Sequence, residues 1–214
     1  MRPALPPLPI DAVLPELVAR LRESPCAVLR APTGAGKTTR VPPALLDAGL
    51  AGKGLVLVLE PRRVAARAAA QRMAEERNTE LGGEIGYQVR FERRSGRATR
   101  VLVITEGLLL RRLQEDPFLE EVGVLVFDEF HERSLDSELG LSLARRVQAE
   151  ARPDLRLLVM SATLDAGEIA RRLDGAPVIE SEGRAFAVET RYLGHAATAP
   201  IDTCLLYTSD AADE

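Results

Sequence analysis

Two short stretches carry residues whose types and spacing can do chemistry. The first is Ala31-Pro32-Thr33-Gly34-Ala35-Gly36-Lys37-Thr38. Apolar Cys26-Ala27-Val28-Leu29 precedes it and a helix-like segment through Leu46 follows. That is the strand, glycine-rich loop and helix order that a phosphate-binding loop needs. Gly34 and Gly36 can take positive φ and let backbone N–H groups curl around phosphate oxygens. A helix starting near Lys37 points its positive dipole end at the same anion. Lys37 supplies a charge for the β- and γ-phosphates, and Thr38 a hydroxyl for Mg²⁺. Ala31 departs from the usual pattern, which opens on glycine.

The second stretch is Asp128-Glu129-Phe130-His131-Glu132-Arg133, directly after an apolar run that starts at Val122. Ligands of open α/β sheets bind at the carboxyl ends of strands, so Asp128 and Glu129 are expected beside the phosphate loop. The two carboxylates then divide the work. Asp128 holds Mg²⁺, usually through water, and Glu129 orients and deprotonates an attacking water. Taken alone, the pair could be a charged helix entry, because Asp and Glu favour first turns. A phosphate loop upstream weighs against that.

Strands must deliver both stretches to one edge. Gly54–Glu60, Val101–Thr105, Val122–Asp128 and Leu155–Met160 are nearly unbroken apolar runs, as in strands covered on both faces. Helical patterns alternate with them: Ala12–Arg22 with Asp11 as its cap, an alanine-rich stretch to about Arg77, one through Leu113, and Leu135–Ala151. Pro42 and Pro43 are expected to distort the helix after the loop, since they lack backbone donors. Gly82–Glu84 reads as a turn and Ile85–Phe91 as an extended segment. Asp165-Ala166-Gly167-Glu168 reads as a capping box opening a helix to Leu173. Short strands are expected near Pro177–Ile179 and Ala187–Leu193. The pattern is α/β, a mostly parallel sheet with helices on both faces. One domain is expected over residues 1–203. Cys204–Glu214 has no periodicity and reads as a non-native tail, the translation of a sequencing adapter.

Composition narrows the classes. The chain of 214 residues can bury a sizeable core. Aromatic residues are only 4% and Trp is absent, which disfavours a nucleic-acid surface of stacked rings. The net charge of −4 leaves nucleic-acid contact to local arginine groups. Cys26 and Cys204 form neither a metal spacing nor a disulfide framework, which points to a reducing, cytoplasmic compartment. No apolar run approaches the ~20 residues of a membrane span.

Further motifs stand between and beyond the two stretches: Pro61-Arg62-Arg63-Val64-Ala65-Ala66, Gly86-Tyr87-Gln88-Val89-Arg90-Phe91, Thr105-Glu106-Gly107 and Ser161-Ala162-Thr163. Together, in this order, they resemble the DEAH-box RNA helicases of superfamily 2, most closely the HrpB-type bacterial branch, which carries DEFH where others carry DEAH. The resemblance runs from the first helix to about Leu193.

It implies a three-layer RecA-like P-loop NTPase domain and an ATP-dependent, RNA-stimulated 3′-to-5′ helicase, with ATP and Mg²⁺ as cofactors. By it, Thr33 to Thr39 hold ATP and Arg72 stacks on the adenine. Thr38, Asp128 and Glu129 serve the metal, while Lys37, Asp128, Glu129 and His131 serve catalysis. Arg62, Arg63, Thr105 and Gly107 hold the backbone of single-stranded RNA, with DNA as the alternative. His131, Ser161 and Thr163 couple phosphate state to the strand. On residues alone, Arg62, Arg63 and Arg72 could be solvated helix positions, and Ser161 and Thr163 turn residues. The second RecA-like domain of the family, whose arginines reach the γ-phosphate, has no counterpart after Leu193. The chain is therefore expected to be one half of a monomeric enzyme. Two other readings stay open: another P-loop NTPase such as a DNA translocase, or a nucleotide-binding module without turnover.

Overall fold

The computed structural model describes residues 6–162 and 166–182. A 3-10 helix, Pro9–Ala12, leads into α1 (Leu14–Glu23), β1 (Cys26–Arg30) and α2 (Lys37–Asp47). Then follow β2 (Leu55–Glu60), α3 (Arg63–Glu76), β3 (Ile85–Val89), β4 (Glu92–Arg94), β5 (Val101–Thr105) and α4 (Glu106–Glu115). β6 (Val122–Phe127), a 3-10 turn (Phe130–Glu132), α5 (Leu135–Glu150), β7 (Arg156–Ser161), α6 (Ala166–Arg172) and β8 (Val178–Glu180) complete the described chain.

The strands form one sheet in the order β4-β3-β5-β2-β6-β7-β1-β8. Every pairing is parallel except β3 with β4. Alternation along each strand builds two cores. Ala27, Leu29, Val56, Val58, Val124 and Val126 face the layer of α1, α2 and α3. Val28, Leu57, Leu59, Leu125 and Phe127 face α4, α5 and α6. Burial of both faces is why these strands read as continuous apolar runs. The α/β sheet covered on both faces expected from the sequence is what the chain forms.

Local departures have physical reasons. Asp11 does not cap α1. It lies inside the 3-10 helix, where its carboxylate accepts the Leu8 N–H at 2.8 Å. α1 starts later, with Pro15 in its first turn, where a missing N–H costs nothing. Pro42 and Pro43 lie within α2 without ending it, and the Ala48 N–H still closes on the Ala44 carbonyl at 2.9 Å. The extended segment after Gly82–Glu84 is a hairpin. Its second strand, β4, is three charged residues on the sheet edge, a polar edge that apolar periodicity cannot reveal. The expected cap at Asp165, the strand at Ala187–Leu193 and the tail at Cys204–Glu214 lie outside the described residues.

Candidate active site

β1 delivers the loop to the carboxyl edge of the sheet. Gly34 (φ +78°) and Gly36 (φ +93°) occupy the left-handed region, where a side chain would be strained. Ala31 has no such conformation. It is fully buried, and its N–H donates to the Ser161 carbonyl at 3.0 Å, so alanine serves where the usual pattern has glycine. α2 begins at Lys37 and presents its free N-terminal amides to the loop, with Thr39 in its first turn.

The acidic turn meets this loop directly. Lys37, only 3% exposed, places its Nζ 2.7 Å from Glu129 Oε1. The Thr38 hydroxyl donates to Asp128 Oδ2 at 2.5 Å, and the Glu129 N–H donates to Asp128 Oδ1 at 2.8 Å. His131 Nε2 lies 3.3 Å from the other Glu129 oxygen. The turn is pinned by Phe130, buried edge-on against Phe127 with ring centres 6.0 Å apart. Glu129 itself sits at φ 48°, ψ 34°, a left-handed backbone. β7 runs between β6 and β1, which puts Ser161, opposite Arg30, between the two halves of the site. Thr163 lies outside the described residues.

Charge crowding marks the site. Asp128 is buried, and burial pushes its carboxyl up to about 6 while the Thr38 hydroxyl and Lys37 pull it down and Glu129 adds to the rise. Glu60 belongs to no motif in the sequence and joins the site only in the fold. This last residue of β2 is 4% exposed, and burial together with Asp128, Glu129 and Glu132 pushes its carboxyl to about 8. The available signal was position, since Glu60 ends a buried strand beside β6.

Folded Glu60 thus keeps a proton that the unfolded chain releases near 4.5, so stability should fall as pH rises from about 4.5 through about 8. Glu60→Gln stays neutral throughout. It should be more stable than the parent at pH 9, by on the order of 2 kcal/mol, with little advantage at pH 5. Urea unfolding at both values measures this, and a difference that does not change with pH would refute it.

The donor set fits a magnesium ion. Thr38 and Asp128 bring hard oxygens together, and a divalent charge would keep the buried Asp128 ionised. Among the described residues no three His, Cys, Asp or Glu side chains converge as a metal cage. Mg²⁺ takes one or two protein ligands and completes its shell with phosphate and water.

The candidate strand contacts lie along the same edge. β2 and β5 end in register, Glu60 opposite Thr105, so Arg62 at the start of α3 and Thr105 at the start of α4 both follow this edge. Arg62 donates to Glu132 Oε1 at 2.7 Å, linking it to the acidic turn, and Arg63 donates to the Arg90 carbonyl at 3.1 Å. Thr105 is the N-cap residue of α4. A Cβ at Gly107 would stand 3.3 Å from Asp136 Oδ2. Between them Glu106 is buried and accepts the Ser134 hydroxyl, which fixes this corner. Arg72 is not bonded to the loop. Its Nε donates to Glu76 Oε1 at 2.7 Å, and Glu76 also pairs with Arg40 of α2 at 3.0 Å.

A mostly parallel α/β sheet with a glycine-rich loop and an acidic turn on one edge defines a RecA-like domain. The model of the DEAD/DEAH box helicase family matches residues 12–171, and the chain belongs to that family. It is 51% identical over 187 residues to the ATP-dependent RNA helicase HrpB of Escherichia coli, covering 87% of this chain and 23% of that protein. It is also 36% identical over 189 residues to the human ATP-dependent RNA helicase DHX33, covering 86% of this chain and 27% of that protein. The crystal structure of the E. coli DEAH/RHA helicase HrpB superposes with a TM-score of 0.85 at 48% identity, over 95% of this chain and 26% of that one. The chain thus spans about a quarter of the length of these two relatives. None of its described helices is long and apolar enough to cross a membrane.

Proposed function

We propose that this chain is the first RecA-like, ATP-binding domain of an ATP-dependent RNA helicase of HrpB type. The observation that supports it most is the meeting of Lys37 with Glu129 and of Thr38 with Asp128, which joins two stretches about ninety residues apart. In the working site Lys37 leaves Glu129 for the β- and γ-phosphates of ATP. Glu129, released, accepts a proton from the water that attacks in line. Asp128 and Thr38 hold Mg²⁺, which neutralises charge on the phosphate oxygens when bound. His131 and Ser161, with Thr163, report the phosphate state to the strand site.

Arg62, Arg63, Thr105 and Gly107 take the sugar–phosphate backbone of single-stranded RNA without reading its sequence. Arg62 joins the two sites through Glu132. Arginines of a second RecA-like domain complete the far side of the γ-phosphate. We place the enzyme in the cytoplasm, as a monomer, with residues 204–214 as a non-native tail.

Arg62→Ala combined with Arg63→Ala should lower affinity for all single-stranded RNAs alike and flatten the salt dependence by about one unit of slope per lost phosphate contact. Fluorescence anisotropy on several RNA and DNA oligomers at graded salt measures it. A loss confined to one base sequence would argue for base readout, and stronger binding of DNA than RNA would favour a DNA translocase.

A further inference from the structure

The amino ends of β2 and β5 form the sheet edge opposite the acidic turn. There a cavity of about 530 Å³ is lined by Lys53, Arg93, Arg97, Arg100 and Arg112. Only two carboxylates, Glu120 and Glu121, line it with them. Among the described residues none of the five cations makes a salt bridge. Arg93 donates to the Ser95 hydroxyl at 2.7 Å, and Arg100 to the carbonyls of Gly52 and Gly54 at 2.7 and 3.2 Å. Arg112 donates to Gln88 Oε1 at 3.2 Å. Elsewhere the chain pairs its arginines readily, as Arg77 with Asp47 and Glu84, or Arg172 with Glu138.

Arg112 is half-buried, and its guanidinium is pulled below its ordinary pKa by burial first and by Arg93 second. Glu121, Glu115 and Asp116 act against this. Two guanidiniums lining one cavity, Arg112 of them half-buried, form an arrangement that an anion would relieve. Arginine forks match phosphate oxygens in particular. The cavity exceeds what a single phosphate fills and lies within the ~300–1,000 Å³ range of small-ligand sites.

We propose that this cavity is a second phosphate site, separate from the loop at Ala31–Thr38, for a ligand presenting two or more adjacent phosphate groups. The source is either a free oligophosphate or the phosphodiesters of a nucleic-acid strand. Inorganic tripolyphosphate, titrated calorimetrically without divalent metal into the 214-residue chain, should find two sites. Lys37→Ala should remove one of them. The triple variant Lys53→Gln, Arg93→Gln and Arg97→Gln should weaken the other at least about tenfold, because each phosphate contact carries part of the electrostatic affinity.

All three side chains are exposed, and none is in a salt bridge, so the fold should persist. Arg97→Glu alone gives a second variant, with a loss in the same direction. Displacement of tripolyphosphate from Lys37→Ala by a 12-residue oligouridylate would name nucleic acid as the source. Failure of that displacement would name a free oligophosphate. The proposal is overturned if Lys37→Ala binds no tripolyphosphate, or if the triple variant keeps both sites unchanged. A Lys37→Ala variant that retains both sites, beside a triple variant that loses one, would instead count against the loop assignment under Proposed function.

Discussion

Glu129→Gln, placed in the full-length protein, should slow the proposed ATP turnover by about 10²- to 10⁴-fold and leave nucleotide binding at least as tight as before. The amide fills the same space but cannot accept the proton of the attacking water. Binding should not suffer, because Glu129 lies 2.7 Å from Lys37 Nζ and so competes with phosphate for the same ammonium. A glutamine loosens that hold. Single-turnover hydrolysis and equilibrium binding of a fluorescent nucleotide separate the two effects. Normal turnover would remove Glu129 as the base, and a large loss of affinity would mean that its charge orders the loop.

The second large effect is structural. Leu55 pairs with Val122 and Val56 with Val124, so Gly123 is an extra residue in β6, a bulge. The backbone that follows α2 crosses it closely, and a Cβ at Gly123 would stand 2.3 Å from the Ala51 carbonyl oxygen. Backbone cannot swing aside as a flexible side chain can. Gly123→Ala should therefore destabilise the domain by about 3 kcal/mol, at the upper end of overpacking costs. Urea unfolding measures it. A change below about 0.5 kcal/mol, the range of ordinary surface substitutions, would show that the Ala51 crossing is loosely held.

How much of this was legible beforehand depended on the kind of signal. The buried strands of a parallel sheet announce themselves as apolar runs, so β2, β5, β6 and β7 were found to within a residue or so. The loop was legible because Gly34, Gly36, Lys37 and Thr38 are contiguous. The acidic pair was legible because Asp128 and Glu129 follow a strand. β4 was not, since Glu92-Arg93-Arg94 carries no apolar alternation and is defined only by its partner Tyr87–Val89. Asp11 misled because a single capping residue fits a 3-10 turn as well as an α-helix. Glu60 escaped because its importance comes from carboxylates far away in sequence, which only the register of β2 against β6 brings near. The cationic cavity escaped for the same reason: Lys53, Arg93 and Arg112 belong to three separate segments.

The left-handed backbone at Glu129, matched by Arg133 at φ 47°, has an evolutionary corollary. A residue with a Cβ in that conformation costs roughly 1–2 kcal/mol that glycine would not. The fold alone would be served better by glycine or asparagine at both positions. Variants selected only for heat resistance should therefore drift toward those residues, and at 129 the drift would exchange chemistry for rigidity. Sequences that keep an acid at 129 do so against the preference of their own backbone. A stability screen run blind to activity would thus pick out this turn as the place where the chain serves something other than its fold.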